Sequence, residues 1–135
     1  MTGPELCVSA VVVDDDQLLV VRRGRGLAQG SWAAPGGRVQ AGETLAEAVV
    51  RELLEETAIE GVCGALLGCQ ELLGGTELHQ VVLAYRVSLL EAAQPRPGDD
   101  ATEARWVPLG EVSGLRLAPG FAEFLHDHQV ITVIT

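Results

Sequence analysis

Apolar positions fall into short runs with two different periods. "CVSAVVV" at 7–13 and "QLLVVRR" at 17–23 are rich in β-branched residues and are separated by "DDD" at 14–16. This pattern predicts two strands joined by a tight turn, a hairpin. From Gly24 to Gly42 the period disappears into a glycine-rich stretch, a long loop that Trp32 and Pro35 suggest is ordered. Then Leu45, Val49 and Leu53, and beside them Ala46, Val50 and Leu54, recur every four residues. A helix from about 43 to 57 follows. "CGALLGCQELL" and "LHQVVLAYRVSLL" read as a second hairpin turning at "GGTE", with "RPGDD" at 96–100 as a loop. "ARWVPL" reads as a short strand and 119–128 as a second helix. The end, "VITVIT", suits a closing strand or a tail that packs on a partner chain.

A chain of 135 residues with 47% hydrophobic positions fits one domain, 1–135, with a real core. Its net charge of −10 argues against a nucleic-acid polymer or an anionic membrane surface as partner, because both favour a basic patch. All basic residues are arginines, and Arg22, Arg23, Arg25 and Arg38 fall close together. Their planar donor forks suit phosphate. Cys7, Cys63 and Cys69 show no C-x-x-C spacing, so buried thiols in a reducing compartment are expected. The early apolar run is too short to span a membrane and lacks the basic flank of a signal peptide, which predicts a cytoplasmic protein.

The predicted helix carries Glu52, Glu55 and Glu56 near its end, and residues three and four apart share a helical face. Each like-charge pair costs roughly 0.2–0.5 kcal/mol, and anions in a last turn oppose the helix dipole. Arg51 has i, i+4 partners in Glu47 and Glu55, an arrangement that leaves Glu52 and Glu56 unpaired within the helix. One reading is a solvated acidic face. The preferred one is a divalent cation held by hard oxygen ligands, Mg²⁺ or Mn²⁺, with Gly36 and Gly37 letting the backbone approach it.

Gly37, Glu43, Arg51, Glu52, Leu53, Glu55, Glu56 and Ile59 also fall in register on a known pattern, G-x5-E-x7-R-E-U-x-E-E-x-G-U with U apolar. The stretch thereby resembles the Nudix box. Ala58 stands where the family usually has glycine, and a small change in how the helix ends is expected from it. "GSWAAPGG" is similar to the family's lead-in, and "DDATEARWVPLGEV" resembles a late strand and acidic turn of members grouped with ADP-ribose pyrophosphatases.

The resemblance implies an α+β Nudix fold, a mixed β-sheet sandwiched between α-helices. It implies metal-dependent hydrolysis of the pyrophosphate bond of a nucleoside diphosphate derivative, ADP-ribose or a related nucleotide sugar being favoured. Alternatives are a nucleoside triphosphate pyrophosphohydrolase that sanitises the nucleotide pool and a non-catalytic nucleotide-sensing module. By motif position Glu52, Glu55 and Glu56 would be catalytic metal ligands together with the Gly36 carbonyl, while Glu43 and Arg51 would join loop to helix. Asp100, then Glu103, are candidates for a further acidic residue that completes the site or acts as base. Arg22, Arg23 and Arg38 are candidates for substrate phosphate, with strand alternation turning one of Arg22 and Arg23 inward. Trp32 is a candidate for stacking on base or ribose or, equally, a loop anchor. The apolar "VITVIT" end suits a homodimer interface.

Overall fold

In β1 (Glu5–Val11) the buried residues Cys7, Val8, Ala10 and Val11 lie on both faces, the pattern of a strand covered on two sides. A computed structural model describes residues 3–26, 28–74, 78–98 and 100–132. It places β1 inside a mixed four-stranded sheet in the order β5-β1-β7-β6, where β5 is Gly36–Arg38, β6 is Gly61–Gly74 and β7 is Leu78–Leu89. β1 runs parallel to β7 and antiparallel to β5, and β6 is antiparallel to β7.

After β1 the chain changes sheet. β2 (Val13–Asp14) turns through Asp15 and Asp16, both at positive φ, into β3 (Gln17–Arg23). The expected hairpin is therefore present but short, and most of its first strand belongs to the other sheet. β3 also pairs antiparallel with β4 (Trp32–Ala33) and with β8 (Ala101–Pro108). The stretch expected to be one long loop thus holds two short strands, β4 and β5. The late strand begins three residues before "ARWVPL", which puts Glu103 on a strand instead of a loop. The hairpin turn expected at "GGTE" lies at 75–77 outside the described residues.

Alternation along β3 divides the core. Leu18 and Val20 face one cluster with Trp32, Phe121, Phe124 and Leu125, whereas Leu19 faces a second with Ala48, Val49, Leu53 and Ile59. Helix α2 (Phe121–Asp127) covers the first cluster and α1 (Leu45–Thr57) the second, giving the α+β sandwich. Val130 and Ile131, the start of "VITVIT", are buried in the first cluster, and 133–135 lie outside the described residues.

Helix α1 positions the glutamates, and both of its ends are well defined. Thr44 caps the first turn, accepting from the Glu47 N–H while the Glu47 carboxylate accepts from the Thr44 N–H. This engages Glu47 with the cap and not with Arg51, correcting the expected i, i+4 pair. The helix ends at Ala58, whose φ of 62° and ψ of 19° are left-handed and whose N–H donates to the Leu54 carbonyl. Beyond it, the N–H groups of Arg96 and Gly98 donate to the Thr57 and Glu56 carbonyls. The loop before β8 is thereby fastened to the helix end.

A Cβ in the left-handed region costs roughly 1 kcal/mol or more, and glycine removes that cost at some expense in unfolded-state entropy. Ala58→Gly should therefore raise unfolding stability by roughly 0.5–1 kcal/mol, read as a higher urea midpoint with an unchanged slope. An unchanged or lower midpoint would show that the cap is not strained.

Candidate active site

Two adjacent glycines bring the helix carboxylates against the sheet. At Gly36 a Cβ would overlap the Val8 carbonyl and the Ser9 Cα, so only glycine lets β5 lie this close to β1. Its N–H donates to Glu56 Oε1 at 2.9 Å. A Cβ on Gly37 would lie 2.5–2.7 Å from the carboxylate atoms of Glu52. Gly36 thus binds Glu56 through its N–H, and Gly37 makes room for Glu52.

Arg51 organises the remaining charge. Its Nε and Nη2 donate to the two oxygens of Glu43 at 2.6 and 2.9 Å, and Nη2 also donates to the Arg38 carbonyl at 3.0 Å. Nη1 meets Glu52 Oε1 at 2.7 Å and Glu55 at 3.2 Å. Glu52 therefore has a partner on its own helix, contrary to the expectation from i, i+4 spacing, because the guanidinium spans several carboxylates at once. The Arg51 hydrogen bonds hold the Glu43 carboxyl down at about 2. Burial pushes the Glu56 carboxyl up to about 7; the Gly36 N–H and Arg23 oppose the shift, while Glu52 and Asp100 add to it.

A cleft of about 830 Å³ opens over this arrangement, and Gly36, Glu52, Glu56, Arg22, Arg23, Arg38 and Asp100 all line it. Arg23 is the less exposed of the two strand arginines, and its buried Nε has no hydrogen-bond partner among the described residues. Arg22 is the more exposed of the two and binds Glu103 at 3.1 Å and the Gly30 carbonyl. Arg38 contacts Glu5 at 2.9 Å, and Asp100 contacts Arg25 at 2.5 Å.

Three of the residues singled out from sequence lie elsewhere. Glu55 turns to Arg51, Glu103 is engaged by Arg22, and Trp32 is buried in the α2 core with the Arg105 guanidinium 4.5 Å over its ring. The Trp32 backbone is bonded to Arg116 and Ala118, so this residue anchors the loop and its ring is not offered to the cleft. Cys7, Ser9, Leu78, Gln80 and Val82 line the cleft without having been anticipated. They come from β1 and β7, whose parallel pairing no local pattern announces. Arg25 was visible only as part of the arginine cluster.

Among the described residues no three His, Cys, Asp or Glu side chains are already arranged around a common point as a metal shell. The donor chemistry nevertheless fits a hard divalent cation. Glu56 is a half-buried carboxylate with Glu52 and Asp100 acting on it, and Glu52 is seated against a backbone with no Cβ.

A family model for the NUDIX domain matches residues 3–128. The chain belongs to the Nudix family. Nudix hydrolases act on phosphoric anhydride bonds of nucleotide small molecules, and this chain is an enzyme of that class. It is 31% identical over 112 residues to an ADP-ribose pyrophosphatase of Methanocaldococcus jannaschii, covering 83% of this chain and 66% of the relative, about two thirds of its length. It is 34% identical over 128 residues to a putative 8-oxo-dGTP diphosphatase 2 of Mycobacterium tuberculosis, covering 91% and 86%. The NUDIX domain of Shewanella oneidensis NrtR, solved with ADP ribose, superposes with a TM-score of 0.81 at 22% identity over 96% of this chain and 89% of that one, a likeness of fold. No described helix of this Nudix domain is long and apolar enough to cross a membrane.

Two opposite pH responses follow for the metal-free Nudix domain. The Glu43 carboxyl is lowered from 4.5 to about 2, so its contribution is present above pH 4.5 and is lost as pH falls toward 2. Glu43→Gln should accordingly lower the melting temperature at pH 7 and lose its effect near pH 2; a constant difference across that range would contradict the Arg51 assignment. The Glu56 carboxyl is raised from 4.5 to about 7, so stability falls as pH rises through that window. Glu56→Gln should therefore match the wild type at pH 4 and exceed it at pH 8, with roughly 3 kcal/mol as the upper limit at ~1.4 kcal/mol per pKa unit. Destabilisation at pH 8 would show that Glu56 ionises there without cost.

Proposed function

We propose that the protein uses Mg²⁺ or Mn²⁺ to hydrolyse the pyrophosphate bond of a nucleoside diphosphate derivative, with ADP-ribose or a related nucleotide sugar as the favoured substrate. The observation that carries this reading is one cleft lined both by carboxylates, Glu52 and Glu56, and by arginines, Arg22, Arg23 and Arg38. A diphosphate needs both, because a protein of net charge −10 repels it unless cations offset its charge. The M. jannaschii relative supports the choice of substrate.

Glu52 and Glu56, with the Gly36 carbonyl and with Glu55 once it leaves Arg51, are the oxygens that would hold the cation. Bound there, a divalent cation offsets phosphate charge and lowers the pKa of the attacking water. The Arg23 Nε is poised to donate to a phosphate oxygen, since a buried donor without a partner gains most from one. Arg22 and Arg38 lie along the same cleft and share the remaining phosphate charge. A carboxylate of the cluster not engaged by the cation takes the water's proton. Asp100, which lines the same cleft and is not among the oxygens assigned to the cation, is the candidate for that transfer. Asp100 is better placed than Glu103, which Arg22 engages outside the lining of the cleft.

A second reading, hydrolysis of nucleoside triphosphates including oxidised ones, is favoured by the M. tuberculosis relative, which this chain matches over most of both lengths. A reducing compartment such as the cytoplasm is the reading that three free thiols support, although only Cys7 is buried as expected, Cys63 being half-buried and Cys69 exposed.

The test is AMP or phosphate release from a panel of diphosphates and triphosphates with Mg²⁺ or Mn²⁺. ADP-ribose should yield AMP, Glu56→Gln should be inactive although folded, and Gly37→Ala should lose roughly 10–100-fold in kcat/KM by displacing Glu52. Cleavage of triphosphates alone moves the assignment to the second reading. Full activity of Glu56→Gln would remove the carboxylate site.

A further inference from the structure

We propose that Gln80, oriented by Glu5, reads the base of the bound nucleotide and selects a 6-aminopurine over a 6-oxopurine, an inference that rests on the hydrolase reading above. Leu78, Gln80 and Val82 share one face of β7 through strand alternation, and all three line the cleft. The parallel register sets Cys7 beside Val82 and Glu5 beside Gln80. Along β7 and β1 this wall is apolar apart from Ser9 and the Gln80 carboxamide, Gln40 reaching the cleft from the loop after β5, a surface on which a planar base packs while one polar group decides its identity.

The carboxamide is not symmetric in its surroundings. Its Nε2 donates to Glu5 Oε1 at 3.3 Å, while Glu5 Oε2 contacts Arg38 Nε at 2.9 Å. An ionised carboxylate only accepts, so turning the amide over would set two oxygens against each other. Glu5 therefore fixes Oε1 as the acceptor that the wall presents. A 6-amino group donates to such an oxygen; a 6-oxo group opposes it with a second acceptor. Because Glu5 also holds Arg38, one carboxylate links the arginine on the phosphate side to the residue on the base side.

The experiment is calorimetric titration of AMP and GMP into the wild type, Gln80→Leu and Glu5→Gln, beside hydrolysis of ADP-ribose by the same proteins. The wild type should bind AMP roughly tenfold more tightly than GMP, the effect of one well-placed hydrogen bond. Gln80→Leu should bring the ratio close to one by weakening AMP. Glu5→Gln, whose amide accepts or donates, lets Gln80 turn over and should raise GMP affinity while lowering that of AMP. This gain of binding is not produced by a misfolded variant. Equal affinities in the wild type, no binding of either monophosphate, or a ratio unchanged in both variants would overturn the proposal. The monophosphates contain no pyrophosphate bond, so their binding is independent of turnover. Selective AMP binding through Gln80 with no diphosphate cleaved would refute the hydrolase reading alone, and ADP-ribose cleavage with a Gln80-independent ratio would refute this one alone.

Discussion

The site depends on one guanidinium. Arg51 joins the Glu43 carboxylate and the Arg38 carbonyl, both from the segment that leads into the helix, to Glu52 and Glu55 on α1 itself. A planar five-donor fork can do this where lysine cannot, because its donors diverge in fixed directions. With the entry loop and the helix fastened together, Gly36 lies close enough to β1 to turn its N–H to Glu56, and the missing Cβ of Gly37 leaves room for the Glu52 carboxylate.

That arrangement sets function against stability within a single turn of helix. Glu56 is half-buried beside acidic neighbours and its carboxyl is pushed up to about 7, which a protein selected only for stability would avoid. The neighbourhood offsets part of this cost. The Gly36 N–H bonds the carboxylate directly, Arg23 contributes its charge, and the loop bearing Arg96 and Gly98 satisfies the helix-end carbonyls while bringing Asp100 to the cleft. The surplus of negative charge is the electrostatic feature that a divalent cation and a diphosphate together would neutralise.

Much of the site was legible because its parts are local. Helix period and the spacing from Gly37 to Ile59 are short-range properties, so the acidic helix could be read from residues alone, and the resemblance to the Nudix box implied the joining of Arg51 to Glu43. Side-chain choices among competing partners were less legible. Spacing offered Glu47 to Arg51, yet the N-terminal cap took Glu47, and Arg51 turned to Glu52, its immediate neighbour in sequence. Trp32 illustrates the same limit: its chemistry suits base stacking, but burial beside Phe124 and Leu125 decided its role.

What the sequence determined by itself was the family, the acidic helix and the class of chemistry, since motif spacing and period are written along the chain. Only the tertiary structure decided that β1 enters a sheet different from β2 and β3, that β1 lies parallel to β7, and that the cleft acquires its Leu78, Gln80 and Val82 wall. The reason is physical. Parallel pairing joins residues about seventy-five positions apart, as Glu5 with Gln80, and is selected by burial on both faces of β1, a condition set by the whole core and by no local run of residues.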